Sequence, residues 1–187
     1  MSGADTREQI MTVGRFMVQS HGYNALSFRE IAKAIGVKSA SVHYHFPTKG
    51  DLGAALARRY SEDAATYIEA IEASGKDLAS SFAQYTAIFR AALENDNRMC
   101  LCGIMAAEYG DLPPEVRAEV DRFTDVNVDW LSRMISRNDP GADPQTTREK
   151  AMAVFAAIEG AQLVARGRGD IGVFDRSMQI YRSVGLM

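Results

Sequence analysis

Apolar residues recur at every third or fourth position over most of this 187-residue chain, the spacing that places them along one face of an α-helix. No segment keeps the two-residue alternation of a half-buried β-strand. The pattern therefore predicts an all-α fold of about nine helices. They are expected at residues 6–20, 49–72, 77–93, 99–109, 147–166 and 174–184, in one helix that begins at Pro114, and in two short helices within 27–46.

The two short helices are joined by a turn that the sequence specifies residue by residue. Ser27 can cap the first helix through its hydroxyl, and Glu30 stands three residues later, which is the spacing of a capping box. Gly36 allows the backbone to turn, and Val37 follows it as an apolar plug. The sequence therefore predicts a helix–turn–helix within residues 27–46.

The second short helix presents polar side chains outward, while Val42 and Phe46 are expected to point back toward the first helix. The outward set supplies hydrogen-bond donors, cations and an aromatic hydroxyl, with almost no acid. It consists of Lys38, Ser39, Ser41, His43, Tyr44 and His45. Such a face suits contact with phosphates and base edges in a DNA major groove.

This motif resembles the helix-turn-helix of TetR-family transcriptional regulators. The resemblance lies in Ile31-Ala-x-x-x-Gly36-Val37 followed by Val42-His-Tyr-His-Phe46-Pro-x-Lys49-x-x-Leu52. In that family the second run usually reads L-Y-x-H-F-x-x-K-x-x-L, so Val42 and His43 depart from it. Ala40 replaces a frequent glycine, and Lys38-Ser39 reverses a frequent order. The resemblance covers residues 7–60.

The resemblance implies a DNA-binding domain at residues 1–47 and a helical ligand-binding and dimerisation domain at residues 48–187. It also implies a homodimeric regulator, most often a repressor, that leaves a pseudo-palindromic operator when a small apolar or amphipathic effector binds. Contacts with double-stranded operator DNA are expected from Ser27, Arg29, Lys38, Ser39, Ala40, Ser41, His43, Tyr44, His45 and Lys49.

The charge is distributed unevenly along the chain, whose net charge is −3. Residues 1–60 hold eight Lys and Arg against four Asp and Glu, a net of +4, which leaves −7 for the remainder. A basic end on an acidic body suits a polyanionic ligand bound at one end. Chance alone could also produce a split of this size.

The remaining helices are expected to hold the effector and the dimer contacts. Aromatic, thioether and thiol side chains make adaptable pocket walls, although they are also ordinary core residues. The candidate pocket residues are Tyr85, Phe89, Cys102, Met105, Phe123, Asn127, Trp130 and Phe155, and Glu108, Glu159 and Gln162 lie near the same faces. The last two helices mix small and large apolar groups, which predicts a two-fold helix bundle. Its candidate contacts are Phe155, Ile158, Gln162, Met178 and Tyr181.

Cys100 and Cys102 flank Leu101 at a predicted helix start. A helix N-terminus and nearby Arg98 favour a thiolate, whereas burial disfavours it. The expected role is packed pocket wall, and a thiol-based redox or electrophile sensor is the alternative.

Enzyme chemistry has little support in the sequence. The three histidines lie at positions 21, 43 and 45, without an acid at a catalytic spacing, and no phosphate-binding or nucleophile motif is present. No cofactor and no metal are expected. A helical carrier or enzyme whose first helices only resemble a DNA reader remains an alternative, as does an activator or architectural DNA binder without an effector. No apolar run is long enough to span a membrane, and the first residues lack the apolar core of a signal peptide, so a cytoplasmic location is expected.

Overall fold

The computed structural model of the chain describes residues 3–187. Residues 1 and 2, the first of the predicted DNA-binding domain, lie outside the described residues. Within 3–187 the chain forms nine α-helices and one 3-10 turn, with no strand, which confirms the all-α prediction. The helices are α1 (Gly3–His21), α2 (Phe28–Ile35), α3 (Ser39–His45), α4 (Lys49–Ala73), α5 (Leu78–Glu94), α6 (Leu101–Ala107), α7 (Pro114–Asn138), α8 (Pro144–Arg168) and α9 (Ile171–Ser183), and the 3-10 turn is Tyr109–Asp111.

Several helix ends differ from the predicted ones for identifiable reasons. Helix α8 begins three residues early because Asp143 caps it, accepting a hydrogen bond from the Thr146 amide at 2.8 Å. Helix α9 also begins three residues early, after Asp170, whose side chain accepts from the Gly172 amide. Helix α6 is shorter than predicted, since it ends at Ala107 and the chain continues into the 3-10 turn.

The chain divides into two compact units. The first comprises the described residues up to Ser61 together with Leu101–Phe123, and the second comprises Glu62–Cys100 and Thr124–Met187. Helices α4 and α7 each contribute residues to both units. The predicted domain boundary after residue 47 stays a prediction.

The first unit is built on α1, which packs against α2, α3 and α6. Its innermost side chains are completely buried and apolar: Ile10, Val18, Ile31, Val42, Leu52 and Val116. Gly14 lies inside α1, where glycine costs about 1 kcal/mol relative to alanine. A Cβ there would lie 3.3 Å from Leu56 and 3.5 Å from Leu26, so the glycine permits close packing.

In the second unit, α5, α8 and α9 pack against one another around a core that includes Phe82, Tyr85, Val154, Ile158 and Phe174. Salt bridges lie on its surface. Arg90 in α5 donates to Asp175 in α9 at 2.8 Å. Glu72 in α4 accepts from Arg133 at 3.1 Å and from Arg137 at 2.5 Å, both in α7. Exposed pairs of this kind contribute about 0–1 kcal/mol each, so apolar burial supplies most of the unit's stability. None of the described helices is long and apolar enough to cross a membrane.

Gly36 ends α2 in the left-handed conformation, with φ of 72°, and nothing lies within 4 Å of a Cβ built on it. Gly36→Ala should therefore lower the free energy of unfolding by about 1 kcal/mol through backbone strain alone. Gly36→Asn is the matched control and should cost less, because asparagine tolerates this conformation. Urea unfolding at a fixed protein concentration measures both. Equal losses for the two variants would contradict the backbone explanation.

Candidate functional site

The helix–turn–helix of the first unit is held by the hydrogen bonds that its sequence predicts. The Ser27 hydroxyl accepts from the Glu30 amide at 3.4 Å, which is half of a capping box. The amide of Val37 donates to the Ala32 carbonyl at 2.9 Å across the turn at Gly36. These local bonds fix the position of α3 against α2.

Helix α3 faces outward as predicted from its polar pattern. Val42 and Phe46 are 0% and 3% exposed, whereas the Tyr44 side chain is 84% exposed. Lys38, Ala40 and His43 are exposed as well, and Ser39, Ser41 and His45 are half-buried. With Thr6 and Val37, several of these residues line a shallow groove. The outward surface therefore carries hydroxyl, imidazole and ammonium groups with no carboxylate among these positions.

His43 and Tyr44 have different surroundings on this helix. The His43 ring packs edge-on against Phe28 at 4.7 Å, and its Nδ1 lies 3.3 Å from the Pro47 carbonyl oxygen. Tyr44 contacts only its neighbour His45 among the ring contacts of the described residues, at 5.2 Å. His43 thus helps to fix the α2–α3 pair, and Tyr44 is the more available of the two for DNA.

Lys49, at the start of α4, is engaged within the first unit. Its Nζ donates to the Asn24 carbonyl at 3.1 Å and lies 4.6 Å from the centre of the Tyr23 ring. Partial burial lowers the Lys49 pKa, and the carboxylates of Glu108 and Asp111 oppose that shift. An ammonium has three donors, so two remain after the bond to Asn24.

Ser27 and Arg29 lie at the beginning of α2, and they differ in what they offer. The Ser27 hydroxyl serves the helix cap, whereas the Arg29 side chain is 89% exposed and pairs weakly with Glu30 at 3.3 Å. The Arg29 side chain can therefore extend toward a phosphate. Ser27 is half-buried and its hydroxyl already caps the helix, so it is less available for such a contact.

A second group of polar side chains is buried inside the second unit. The Tyr85 hydroxyl in α5 donates to the Asn127 side-chain oxygen in α7 at 2.8 Å. The Tyr85 ring lies 4.9 Å from Trp130 and 5.4 Å from Phe89. Tyr85, Asn127 and Trp130 are 0–2% exposed. We call Tyr85, Phe89, Asn127, Trp130 and Glu159 the buried polar cluster.

Glu159 in α8 belongs to this cluster and was singled out by the sequence only as a neighbour of apolar faces. Part of the residue is exposed, but both carboxylate oxygens are buried and have no hydrogen-bond partner within residues 3–187. Burial raises the Glu159 pKa from 4.5 to about 7, and the neighbouring Cys100 thiol lowers it partially. Burial, together with the charges of Glu159 and Cys100, also raises the Tyr85 pKa. The sequence signal for this buried carboxylate was a glutamate within the apolar stretch of α8, directly after Ile158 and one helical turn before Gln162.

The predicted pocket residues fall into both units. Tyr85, Phe89, Asn127, Trp130 and Phe155 belong to the second unit, where the first four form the buried polar cluster with Glu159. Cys102, Met105 and Phe123 belong to the first unit, where all three are buried. Whether any of them touches an effector stays a prediction.

Comparisons with known proteins agree with this architecture. The family model "Bacterial regulatory proteins, tetR family" matches residues 10–56, which include the whole helix–turn–helix. A TetR transcriptional regulator from Legionella pneumophila is similar over 95% of both chains, with 30% sequence identity and a TM-score of 0.88. A TetR-family regulator from Agrobacterium tumefaciens is 26% identical over 95% of this chain and 96% of its own, with a TM-score of 0.88.

The chain belongs to the TetR family. It is therefore a ligand-responsive DNA-binding transcriptional regulator, of a class that is generally not enzymatic. TetR-family regulators bind operator DNA, usually as dimers and with small-molecule effectors. A search among curated proteins finds no significant match.

The residues predicted for the TetR-type dimer contact are mostly interior. Phe155, Ile158 and Met178 are 0–7% exposed in the single chain, and Tyr181 is half-buried. Gln162 is completely buried, and its side chain accepts from the Cys100 amide at 3.0 Å and donates to the Phe89 carbonyl at 2.7 Å. The exposed apolar residues of α8 and α9 are Met152, Leu163, Val164, Ile180 and Val184.

The two cysteines are buried, with Cys100 just before α6 and Cys102 in its first turn. Asp96 and Asn97, shortly before them, adopt left-handed backbone conformations, with φ of 63° and 50°. The Asn97 side chain donates to the Arg166 carbonyl at 3.1 Å. Both thiols are packed inside the protein. Whether either of them is reactive stays a prediction.

The raised pKa of Glu159 makes stability depend on pH. Between about pH 4.5 and 7 the carboxyl ionises in the unfolded chain but stays protonated in the fold, so the folded state loses stability as pH rises. The accumulated loss should be roughly 3 kcal/mol above pH 7. Glu159→Gln should remove this pH-dependent loss, so the stability of the variant relative to the wild type should increase as the pH rises from about 4.5 to 7. Urea unfolding at several pH values measures the difference, with exposed Glu149→Gln as control. A difference that does not change with pH would contradict the raised pKa.

Proposed function

We propose that the protein is a homodimeric repressor that binds a pseudo-palindromic operator and releases it when a small molecule enters the buried polar cluster. The observation that carries the DNA-binding half is the outward face of α3. Val42 and Phe46 anchor that helix, while Tyr44 and Lys38 remain exposed on its outer side. A short helix held in this way can enter a major groove.

Two kinds of DNA contact are expected from this surface. Lys38 and Ser41 are proposed to meet base edges from the reading helix, so they should influence which sequence is preferred. Arg29, Tyr44 and Lys49 offer a guanidinium, a hydroxyl and two unused ammonium donors, which suit phosphate oxygens. In this arrangement residues 1–47 act as the DNA-binding domain.

The dimer contact is proposed to use the exposed side of α8 and α9 and not their interior side. Leu163, Val164 and Ile180 are each more than half exposed, and Gly160 has open space beside it. Val164, Val173, Ile180 and Tyr181 also line one shallow groove. Pairing this face with its copy about a two-fold axis would bury it and make a four-helix bundle.

The effector site is proposed to be the buried polar cluster, because two of its members keep unsatisfied polar atoms. The Trp130 indole N–H and the Glu159 carboxylate are buried without hydrogen-bond partners among the residues that the structure describes. Helices α4 and α7 contribute to both units, so a shift of either helix on ligand binding could change the distance between the two DNA-binding domains of a dimer. The effector then needs only a different affinity for the two arrangements.

Selection of bound duplexes from a random DNA pool tests this function directly. The expected product is an inverted repeat whose half-sites are about one helical turn or more apart. The affinity for it should fall steeply with salt, because phosphate contacts release counterions. Recovery of no preferred duplex, or of a single unrepeated half-site, would overturn the proposed dimeric repressor.

Lys49→Ala should weaken binding to all duplexes and lower the salt slope by about one unit, because one phosphate contact is lost. Titration of operator and unrelated DNA at several salt concentrations measures both quantities. Lys150→Ala, an exposed lysine of α8, is the matched control and should change neither. If Lys49→Ala changes the preferred sequence and keeps the slope, its assigned role is wrong.

Leu163→Glu should convert the dimer to monomers at micromolar concentration, since it would bury an unpaired charge and cost several kcal/mol of association. Leu163 is 54% exposed in the single chain, so the monomer should keep its fold. Sedimentation velocity measures the association, and circular dichroism checks the helices. Gln179→Glu adds the same charge to an exposed position of α9, on the opposite side from Ser177 and Tyr181. A dimeric Leu163→Glu variant would place the interface elsewhere.

A further inference from the structure

The Glu159 carboxylate is an unusual charge to find inside this helical unit. Both of its oxygens are inaccessible to solvent and lack hydrogen-bond partners in residues 3–187. In the salt bridges of the same residues, arginines pair with other carboxylates and none of them pairs with Glu159. Buried carboxylates are normally paired with a cation or fully hydrogen-bonded, because desolvation of the charge is costly.

Two groups interact with this carboxylate, the Cys100 thiol and the Tyr85 side chain. The Cys100 thiol is close enough to lower the Glu159 pKa partially, and Tyr85 is close enough for the carboxylate to raise the Tyr85 pKa. The centre of the Tyr85 ring lies 4.9 Å from that of Trp130, and the two rings are tilted by 34°. The Tyr85 hydroxyl is directed to Asn127 at 2.8 Å, so it is not the donor that satisfies Glu159. A buried carboxylate close to an aromatic side chain is a combination that attracts positive charge.

We propose that the effector is an organic cation with an apolar or aromatic body, whose positive group pairs with the Glu159 carboxylate. This inference rests on the proposed function, since it names the chemical class of the effector for the same buried polar cluster. The Tyr85 and Trp130 rings supply apolar contact area and cation–π attraction. The net charge of −7 beyond residue 60 favours the approach of a cation over that of an anion.

A neutral ligand that donates a hydrogen bond is the competing occupant, and protonation distinguishes the two. In the ligand-free protein a proton can neutralise Glu159 up to about pH 7. A bound cation takes over that role, so the carboxyl must lose its proton when the cation binds below that pH. A neutral donor carries no charge to displace the proton, and its binding should not weaken on acidification.

The experiment uses two probes of nearly the same shape and different charge. Benzyltrimethylammonium carries a permanent positive charge, and neopentylbenzene replaces its nitrogen with carbon. Isothermal titration of the full-length protein at about pH 8 should show the cation binding about tenfold or more tightly than the neutral probe. In Glu159→Gln this preference should disappear, while the neutral probe keeps its affinity within about twofold. Glu149→Gln, an exposed glutamate of the same helix, should behave like the wild type.

Acidification supplies a second measurement that a merely structural role of Glu159 would not affect. The cation should bind the wild type about tenfold more weakly at pH 6 than at about pH 8. At about pH 6 its binding should also release a proton from the Glu159 carboxyl. Glu159→Gln should show neither effect. The variant retains all three histidines, His21, His43 and His45, so any effect that they have on binding is shared by both proteins.

Three results would overturn the proposal: no cation binding to the wild type, equal affinity for both probes, or an unchanged preference in Glu159→Gln. Because these titrations contain no DNA, they fail independently of operator binding. A protein that selects an inverted repeat and ignores the cation would retain the repressor function and lose the assigned effector class. A protein that binds the cation and selects no DNA would retain the assigned ligand class and lose the repressor function.

Discussion

The DNA-reading surface depends on the burial of two apolar side chains, Val42 and Phe46. A seven-residue helix is far too short to be stable by itself in water. Val42 is completely buried, and Phe46 is packed with the Arg7 guanidinium 5.0 Å from its ring. Because these two side chains face inward, the polar residues of α3 face outward. The DNA contacts that we propose for α3 thus depend on hydrophobic packing on the opposite side of the same helix.

The second unit shows the opposite relation between polarity and burial. There the chain places a carboxylate, an indole N–H and a phenol inside a helical core, where each unsatisfied group lowers stability. Gln162 shows what full satisfaction looks like, since its amide bonds both the Cys100 amide and the Phe89 carbonyl. Glu159 and Trp130 lack the hydrogen bonds that Gln162 makes, and unsatisfied buried groups of this kind are expected at functional sites, in agreement with the proposed effector site.

The sequence predicted the local features well and the long-range ones less well. The cap at Ser27 and the turn at Gly36 follow from side-chain chemistry within a few residues, and both are present. Helix α8 carries apolar residues around most of its circumference, so its period alone could not tell Ile158, which is buried, from Leu163, which is exposed. The burial of Glu159 depends on α5 and on the segment before α6, far away in sequence, and the only local sign of it was a glutamate within an otherwise apolar stretch of α8.

Trp130 has a consequence for how the protein can be observed. It is the only tryptophan of the chain, and it is completely buried against Tyr85 in the second unit. Its intrinsic fluorescence therefore originates at one point, and the DNA-reading helix carries no tryptophan to add a background. A change in the polarity around the buried polar cluster would shift this emission, and DNA binding at α3, in the other unit, would do so only through the proposed coupling. The chain carries its own optical probe at the place where we expect the effector to bind.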